Sequence, residues 1–137
     1  MPAHLVRARS LYPGAPYAYA SVAPPGSLVF TAGACPIDEA GAVTDVGDYA
    51  AQARRTAANL AAALAAAGAG LADVLKTTVY VASADQRDLV AVWEVVHAAF
   101  DPHDPPSTLL GVSVLGYSNQ LVEIEAVALA HAGSSLG

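Results

Sequence analysis

Basic residues are scarce in this chain, which has six Lys and Arg against twelve Asp and Glu and a formal net charge of −6 at pH 7. A nucleic-acid-binding protein needs a basic surface for the phosphates, and an acidic chain repels a polyanion unless a local patch overrides the total. The one basic pair, Arg54–Arg55, falls in a predicted helix, where a solvated face is the simpler interpretation. We therefore expect no nucleic-acid partner.

Cysteine and long apolar runs are also scarce. The single cysteine, Cys35, excludes an internal disulfide framework and is typical of a reducing compartment. Nothing near it in the sequence would lower its pKa, so a buried structural role is favoured over a nucleophilic one. No apolar run reaches the ~18 residues of a membrane span, and MPAHLVRARS lacks the apolar run of a signal peptide. We expect a cytoplasmic protein without membrane association.

Charged residues of either sign make up only 13% of the 137 residues, whereas hydrophobic residues make up 55%. This length predicts a single domain, residues 1–137, with one core. The apolar excess is more than a small monomer readily buries, so a homo-oligomer is favoured over an alanine-rich monomer.

Apolar periodicity predicts two helices and six strands. In residues 48–67, alanine and leucine recur at helical spacing, and Gly68 ends the pattern. A second helix follows SADQ, where Ser83 and Gln86 have capping-box spacing, and runs to about Phe100. Strands are expected at residues 3–9, 17–22, 28–34, 74–82, 107–115 and 120–130, the second and third forming a hairpin-like pair around APPGS. The order β-β-β-α-β-α-β-β predicts an α+β domain, a mixed sheet with two helices packed on one face.

The familiar catalytic signatures are missing from the sequence. It has no Gly-rich dinucleotide loop, P-loop, zincin motif or nucleophile elbow, and its four histidines do not pair at metal-ligand spacing. We expect neither a metal nor an organic cofactor.

Two carboxylates on the apolar final strand are the most informative polar residues. Strand alternation places Glu123 and Glu125 on the same face. One of them could point into a polar cleft, where burial raises the pKa of a carboxyl and suits it to proton transfer. A carboxylate satisfied by a partner or facing solvent explains the pattern equally well.

Several stretches resemble the RidA (YjgF) family of L-PSP endoribonuclease-like proteins over about residues 10–130. They are APYAYAS, LVFTAGACP, QARRTAANLAAALAAAGAGLADVLKTTVYV, FDPHDPPSTLLGVSVLG and LVEIEAVAL. The resemblance implies a chorismate-mutase-like fold, a homotrimer, and ligand clefts between neighbouring subunits. It also implies hydrolysis of reactive imines and enamines without a cofactor. In that reaction, an arginine binds the carboxylate of the substrate.

The resemblance also implies roles for particular residues. Glu123 matches the acid near the attacking water, and we take it as the catalytic candidate. Ala32 replaces a common serine, Trp93 occupies a position that is often asparagine, and Ser107 stands in place of the arginine. The expected ligand contacts are Tyr17, Thr31, Ala32, Gly33, Trp93, Ser107, Thr108 and Tyr117.

Serine at position 107 changes the expected substrate. Each lost hydrogen bond to a charged group costs about 1.5–3 kcal/mol, and residues 100–125 contain no Lys or Arg. A free 2-imino acid should bind poorly, and the cleft should favour a neutral or cationic, partly apolar ligand. The sequence leaves open an imine or enamine hydrolase and a non-catalytic metabolite-binding protein; an endoribonuclease is disfavoured by the acidity.

Overall fold

The computed structural model describes residues 4–7, 10, 13–14, 16–23 and 25–131. Its elements are β1 (His4–Val6), β2 (Ala20–Val22), β3 (Leu28–Phe30), α1 (Tyr49–Ala66), β4 (Val74–Ala82), α2 (Gln86–Phe100), β5 (Ser107–Val112) and β6 (Val122–Leu129). One 3₁₀ turn, Leu71–Asp73, precedes β4. The predicted order of elements and the α+β class are confirmed.

The strands form two sheets. A four-stranded mixed sheet has the order β3-β6-β4-β5, in which β4 and β5 are parallel and β6 is antiparallel to both of its neighbours. The predicted hairpin between β2 and β3 is wrong, because β2 pairs with β1 in a separate sheet and β3 pairs with β6. Pairing with β6 places Val29 of β3 against the helix-covered core, which an isolated hairpin with β2 would not provide.

Local hydrogen bonds fix the start of each helix. Asp48 caps α1 by accepting from the amide of Ala51, and Asp85 caps α2 by accepting from the amide of Arg87. The predicted capping box at Ser83 is therefore wrong. The Ser83 hydroxyl lies two residues before this cap, where it accepts from the Asp85 amide and donates to Asp88.

The core lies between the two helices and one face of the large sheet. Val79, Val81, Val122 and Ile124 of the sheet pack there against apolar side chains of α1 and α2. The opposite face, called here the outer face, carries the alternate residues of the same strands. They are Lys76, Thr78 and Tyr80 of β4, Thr108 and Leu110 of β5, and Glu123, Glu125 and Val127 of β6. In the part of the chain that is described, no helix combines the length and hydropathy needed to cross a bilayer.

Candidate functional site

Glu123 lies on the outer face with one carboxylate oxygen held in place. Its Oε1 accepts a hydrogen bond from the Cys35 thiol at 3.4 Å and another from Gln120 Nε2 at 3.2 Å. Gln120 is only 4% exposed, and its own Oε1 accepts from the Tyr117 amide. Cys35 and Gln120 therefore hold this carboxylate oxygen, and Gln120 is itself held by a backbone amide.

The other oxygen of Glu123 lies against Gly33. A Cβ at position 33 would lie 2.3 Å from Oε2 and 2.5 Å from Cδ, well inside contact distance, so this carboxylate position requires glycine. Thr31, two residues earlier, exchanges hydrogen bonds with the backbone of Ala126 on β6. Thr31, Gly33, Cys35, Gln120 and Glu123 form what we call the acid half-site.

Cys35 belongs to this half-site as a hydrogen-bond donor. Burial raises the pKa of its thiol to about 11, and the hydrogen bond to Glu123 and the charge of that carboxylate add to the shift, while Gln120 opposes it. The thiol is protonated at neutral pH, so Cys35 orients the acid and is a poor nucleophile there.

Ser107 lies on the helix-facing side of the sheet. It pairs with Thr77 in the parallel β4–β5 ladder, and the buried Thr77 hydroxyl donates to Ser107 Oγ at 2.6 Å. Ser107 lines a cleft of about 260 Å³ with Tyr17, Trp93 and two apolar residues. The rings of Tyr17 and Trp93 meet edge to face, with centroids 6.4 Å apart. Tyr17, Trp93 and Ser107 form the aromatic half-site.

A chain of charged and polar groups lies behind the aromatic half-site. His97 stacks on Trp93, and its Nε2 lies 3.1 Å from Asp104 Oδ1. Arg7 forms an ion pair with the same carboxylate and donates to the Tyr17 carbonyl at 3.0 Å. The Arg7 guanidinium is therefore held beside the backbone of Tyr17, and its charge is paired with Asp104. Arg87 is held by Asp85 at the start of α2, and Arg9 lies outside the described residues.

The two half-sites lie on opposite faces of one sheet. Glu123 pairs with Tyr80 and Ser107 with Thr77, and residues an odd number of positions apart on β4 point in opposite directions. Within one chain, the structure thus brings together Tyr17, Trp93 and Ser107, and separately Thr31, Gly33 and Glu123, but it does not join the two groups.

The remaining predicted contacts lie outside both half-sites. Thr108 is on the outer face, where its Oγ1 accepts from Lys76 Nζ at 2.9 Å. Ala32 is exposed, and Tyr117, 47% exposed, reaches the acid half-site only through its backbone amide.

Sequence reasoning missed Lys76 and Gln120. Alternation within VLKTTVYVA would have placed Lys76 on the face that carries Glu123 after β4 was paired with β6. Gln120 gave no signal, because its role depends on the turn before β6. In the described ranges, no three His, Cys, Asp or Glu side chains converge in a way that could hold a metal ion.

Comparisons with known proteins agree with this architecture. Residues 8–130 match the family described as Endoribonuclease L-PSP. The 2-iminobutanoate/2-iminopropanoate deaminase of Salmonella typhimurium is 37% identical over 108 residues, which cover 76% of this chain and 80% of that protein. The crystal structure of YyfB, a protein of the Rid family from Yersinia pestis, superposes with a TM-score of 0.87 at 29% identity, covering 94% of this chain and 99% of that one. The structure of E. coli TdcF with bound serine gives a TM-score of 0.67 at 31% identity, over 85% and 90% of the two chains. The chain belongs to the endoribonuclease L-PSP family, the RidA family that its sequence resembles.

Proposed function

We propose that this chain is a homotrimeric hydrolase of small imines or enamines, with Glu123 as the catalytic carboxylate. The observation that carries the proposal is the placement of Glu123, with one oxygen fixed by two donors and the other over the bare backbone of Gly33. A deaminase among the relatives supports the reaction class.

The chemistry requires only water and this carboxylate. Glu123 accepts a proton from water as the water oxygen bonds to the imine carbon, and it passes this proton to the imine nitrogen, which gives a neutral carbinolamine. Glu123 then takes the hydroxyl proton of the carbinolamine and passes it to the nitrogen as the carbon–nitrogen bond breaks, so that the carbonyl forms and ammonia leaves. The fixed position of the carboxylate lowers the entropic cost of orienting the water.

The complete cleft, in this proposal, lies between two copies of the chain. One copy supplies the acid half-site, and its neighbour supplies the aromatic half-site, which lies on the opposite sheet face. Two exposed apolar side chains on the outer side of the sheet, Phe30 at 72% and Leu110 at 43%, support a contact there. A homotrimer would close three equivalent clefts.

The neutral aromatic half-site sets the expected substrate. Ser107 uses its hydroxyl with Thr77 and brings no charge, whereas the edges and faces of Tyr17 and Trp93 suit an apolar or cationic group. We expect an imine without a carboxylate to be preferred over a 2-imino acid.

Ammonia release tests both parts of the proposal. The substrates are freshly generated 2-aminoacrylate and phenylmethanimine, the latter made from benzylamine by a flavin amine oxidase. We expect the wild-type chain to accelerate the hydrolysis of phenylmethanimine more than that of 2-aminoacrylate. Glu123→Gln should lower the rate with phenylmethanimine by at least about 100-fold. Ser107→Arg should shift the preference toward 2-aminoacrylate. Glu94→Gln, an exposed carboxylate on α2, is the matched control. The proposal is contradicted if the folded wild-type chain accelerates neither reaction, or if Glu123→Gln leaves the rate of ammonia release unchanged.

The absence of an arginine at position 107 favours one alternative, a protein that binds a metabolite without turning it over. Binding of an imine or its carbonyl product to the aromatic half-site, with no ammonia released, would support it. RNA cleavage is disfavoured by the net charge of −6.

A further inference from the structure

The loop that carries Cys35 is held by side chains of α1. Asn59 Nδ2 donates to the Cys35 carbonyl at 2.7 Å and to the Ile37 carbonyl at 2.9 Å, which uses both of its N–H groups. Arg55, one turn earlier, donates to the same Ile37 carbonyl at 3.2 Å. On the other side of the cysteine, Ala34 forms two backbone hydrogen bonds with β6. Cys35 is therefore fixed between β6 and α1.

The turn that carries Gln120 is held by Gln52, a fully buried residue of α1. Its Nε2 donates to the Asn119 carbonyl at 3.0 Å, and its Oε1 accepts from the Leu121 amide at 2.8 Å. These two contacts lie on either side of Gln120 in the sequence. Asn119 has a φ of 67°, a left-handed conformation that is uncommon for a residue with a side chain. Gln52 therefore stabilises a turn of unusual backbone shape and sets the direction of Gln120.

Both loops deliver their donors to the same atom. The Cys35 thiol and Gln120 Nε2 each donate to Oε1 of Glu123. Gln52 and Asn59 are seven residues apart, about two turns, so they lie on one face of α1. The helix packs on the core side of the sheet, whereas the carboxylate lies on the outer face. The helix therefore reaches the acid through the two loops.

We infer that Gln52 and Asn59 are positioning residues for Glu123, because they hold from α1 the two loops whose donors meet at its Oε1. All of the contacts lie within one chain, so the inference does not depend on how copies assemble. As a statement about catalysis it rests on the proposed function, whereas the hold on the carboxylate exists without it.

Ammonia release from phenylmethanimine tests the catalytic part. Asn59→Leu and Gln52→Met keep similar side-chain volumes and remove the hydrogen bonds to the loops. Each should lower kcat by about 10-fold or more, since a small displacement of a catalytic group is costly, and should change KM by less than about 3-fold, because the aromatic half-site is intact. Thr56→Val is the matched control. Thr56 is buried on the same helix, and no described residue hydrogen-bonds to it, so kcat and KM should stay unchanged.

Alkylation of Cys35 by iodoacetamide tests the hold on Glu123 without any activity. The change of rate between pH 8 and 10 gives an apparent thiol pKa that does not depend on how accessible the thiol is. In the wild type, with a pKa of about 11, the rate should rise about 10-fold per pH unit. Asn59→Leu should free the thiol from the carboxylate, lower its pKa and speed alkylation at pH 8 by about 10-fold or more. Gln52→Met should not speed it, because the Gln120 that it releases lowers the thiol pKa.

A general loosening of the fold would speed alkylation in both variants. Leu64→Ala makes a cavity at a fully buried position of α1; it should lower the urea midpoint and leave kcat and the thiol pKa unchanged. If Gln52→Met fails to fold by circular dichroism, Gln52→Glu, which has the same size and lacks the N–H groups, replaces it.

Three results would overturn the inference. They are a wild-type thiol pKa in Asn59→Leu, equally fast alkylation in Asn59→Leu and in Gln52→Met or Leu64→Ala, and full kcat in both loop variants of an enzyme that Glu123→Gln inactivates. A wild-type chain that releases no ammonia refutes the proposed function alone, and the alkylation results then decide the inference.

Discussion

The contact between Gly33 and Glu123 gives the sharpest test of the acid half-site. In Gly33→Ala, the new Cβ would lie 2.3 Å from Oε2, 2.5 Å from Cδ and 2.8 Å from Cγ of Glu123. All three contacts are to one side chain, so Glu123 must swing away and leave its partners Cys35 and Gln120. Overpacking of this kind costs about 1–3 kcal/mol, and the reduced freedom of the unfolded chain returns about 0.4–1 kcal/mol.

We therefore expect Gly33→Ala to lower the free energy of unfolding by about 0–2.6 kcal/mol. Its ammonia-release activity should fall much more, by about 100-fold, because a displacement near 1 Å is enough to misplace a catalytic group. Urea denaturation and the phenylmethanimine assay measure the two effects. Gly116→Ala is the matched control, since a Cβ there meets no atom within 4 Å, and it should change neither. Full activity in Gly33→Ala would refute the assigned position of Glu123.

Four further predictions concern Cys35, Ser107 and Thr56. With a pKa of about 11, Cys35 should react slowly with iodoacetamide at pH 8, and Glu123→Gln should speed alkylation, because it removes a nearby charge. The thiol pKa of Cys35 is raised above its ordinary 9.0, so the contribution of the protonated thiol to stability is complete below pH 9 and is lost as the pH rises through 11. Urea denaturation at several pH values measures this loss. Ser107→Ala should cost about 1–3 kcal/mol in urea denaturation by leaving the buried Thr77 hydroxyl unpaired; an unchanged midpoint contradicts this. Thr56 Oγ1 is buried, and no described residue hydrogen-bonds to it, so Thr56→Val should raise the unfolding midpoint, and a lower one would show a missed partner.

Local patterns predicted the elements well, because the interactions that define them lie within each element. The alanine and leucine spacing of α1 follows from one face packing on the sheet, and six buried residues lie on that face. The pairing of strands was harder to predict from the sequence. The partner of β3 is β6, about a hundred residues away, and nothing in APPGS reports that pairing.

Strand alternation predicted part of the site from the sequence. Alternation correctly placed Glu123 and Glu125 on one face of β6. The opposite orientation of Ser107 could not be read from the sequence, because it depends on the parallel register of β5 against β4 across the intervening helix. The same limit hid the contact between Lys76 and Thr108, which joins neighbouring strands.

The division of the cleft between two sheet faces has a genetic consequence. A chain damaged only at Glu123 keeps an intact aromatic half-site, and a chain damaged only at Trp93 keeps an intact acid half-site. If the clefts form between copies, assemblies that mix the two chains equally would contain about one quarter of clefts with both halves sound. Two alleles that are each inactive alone would then complement one another in the same cell, and a chain with both lesions would rescue neither.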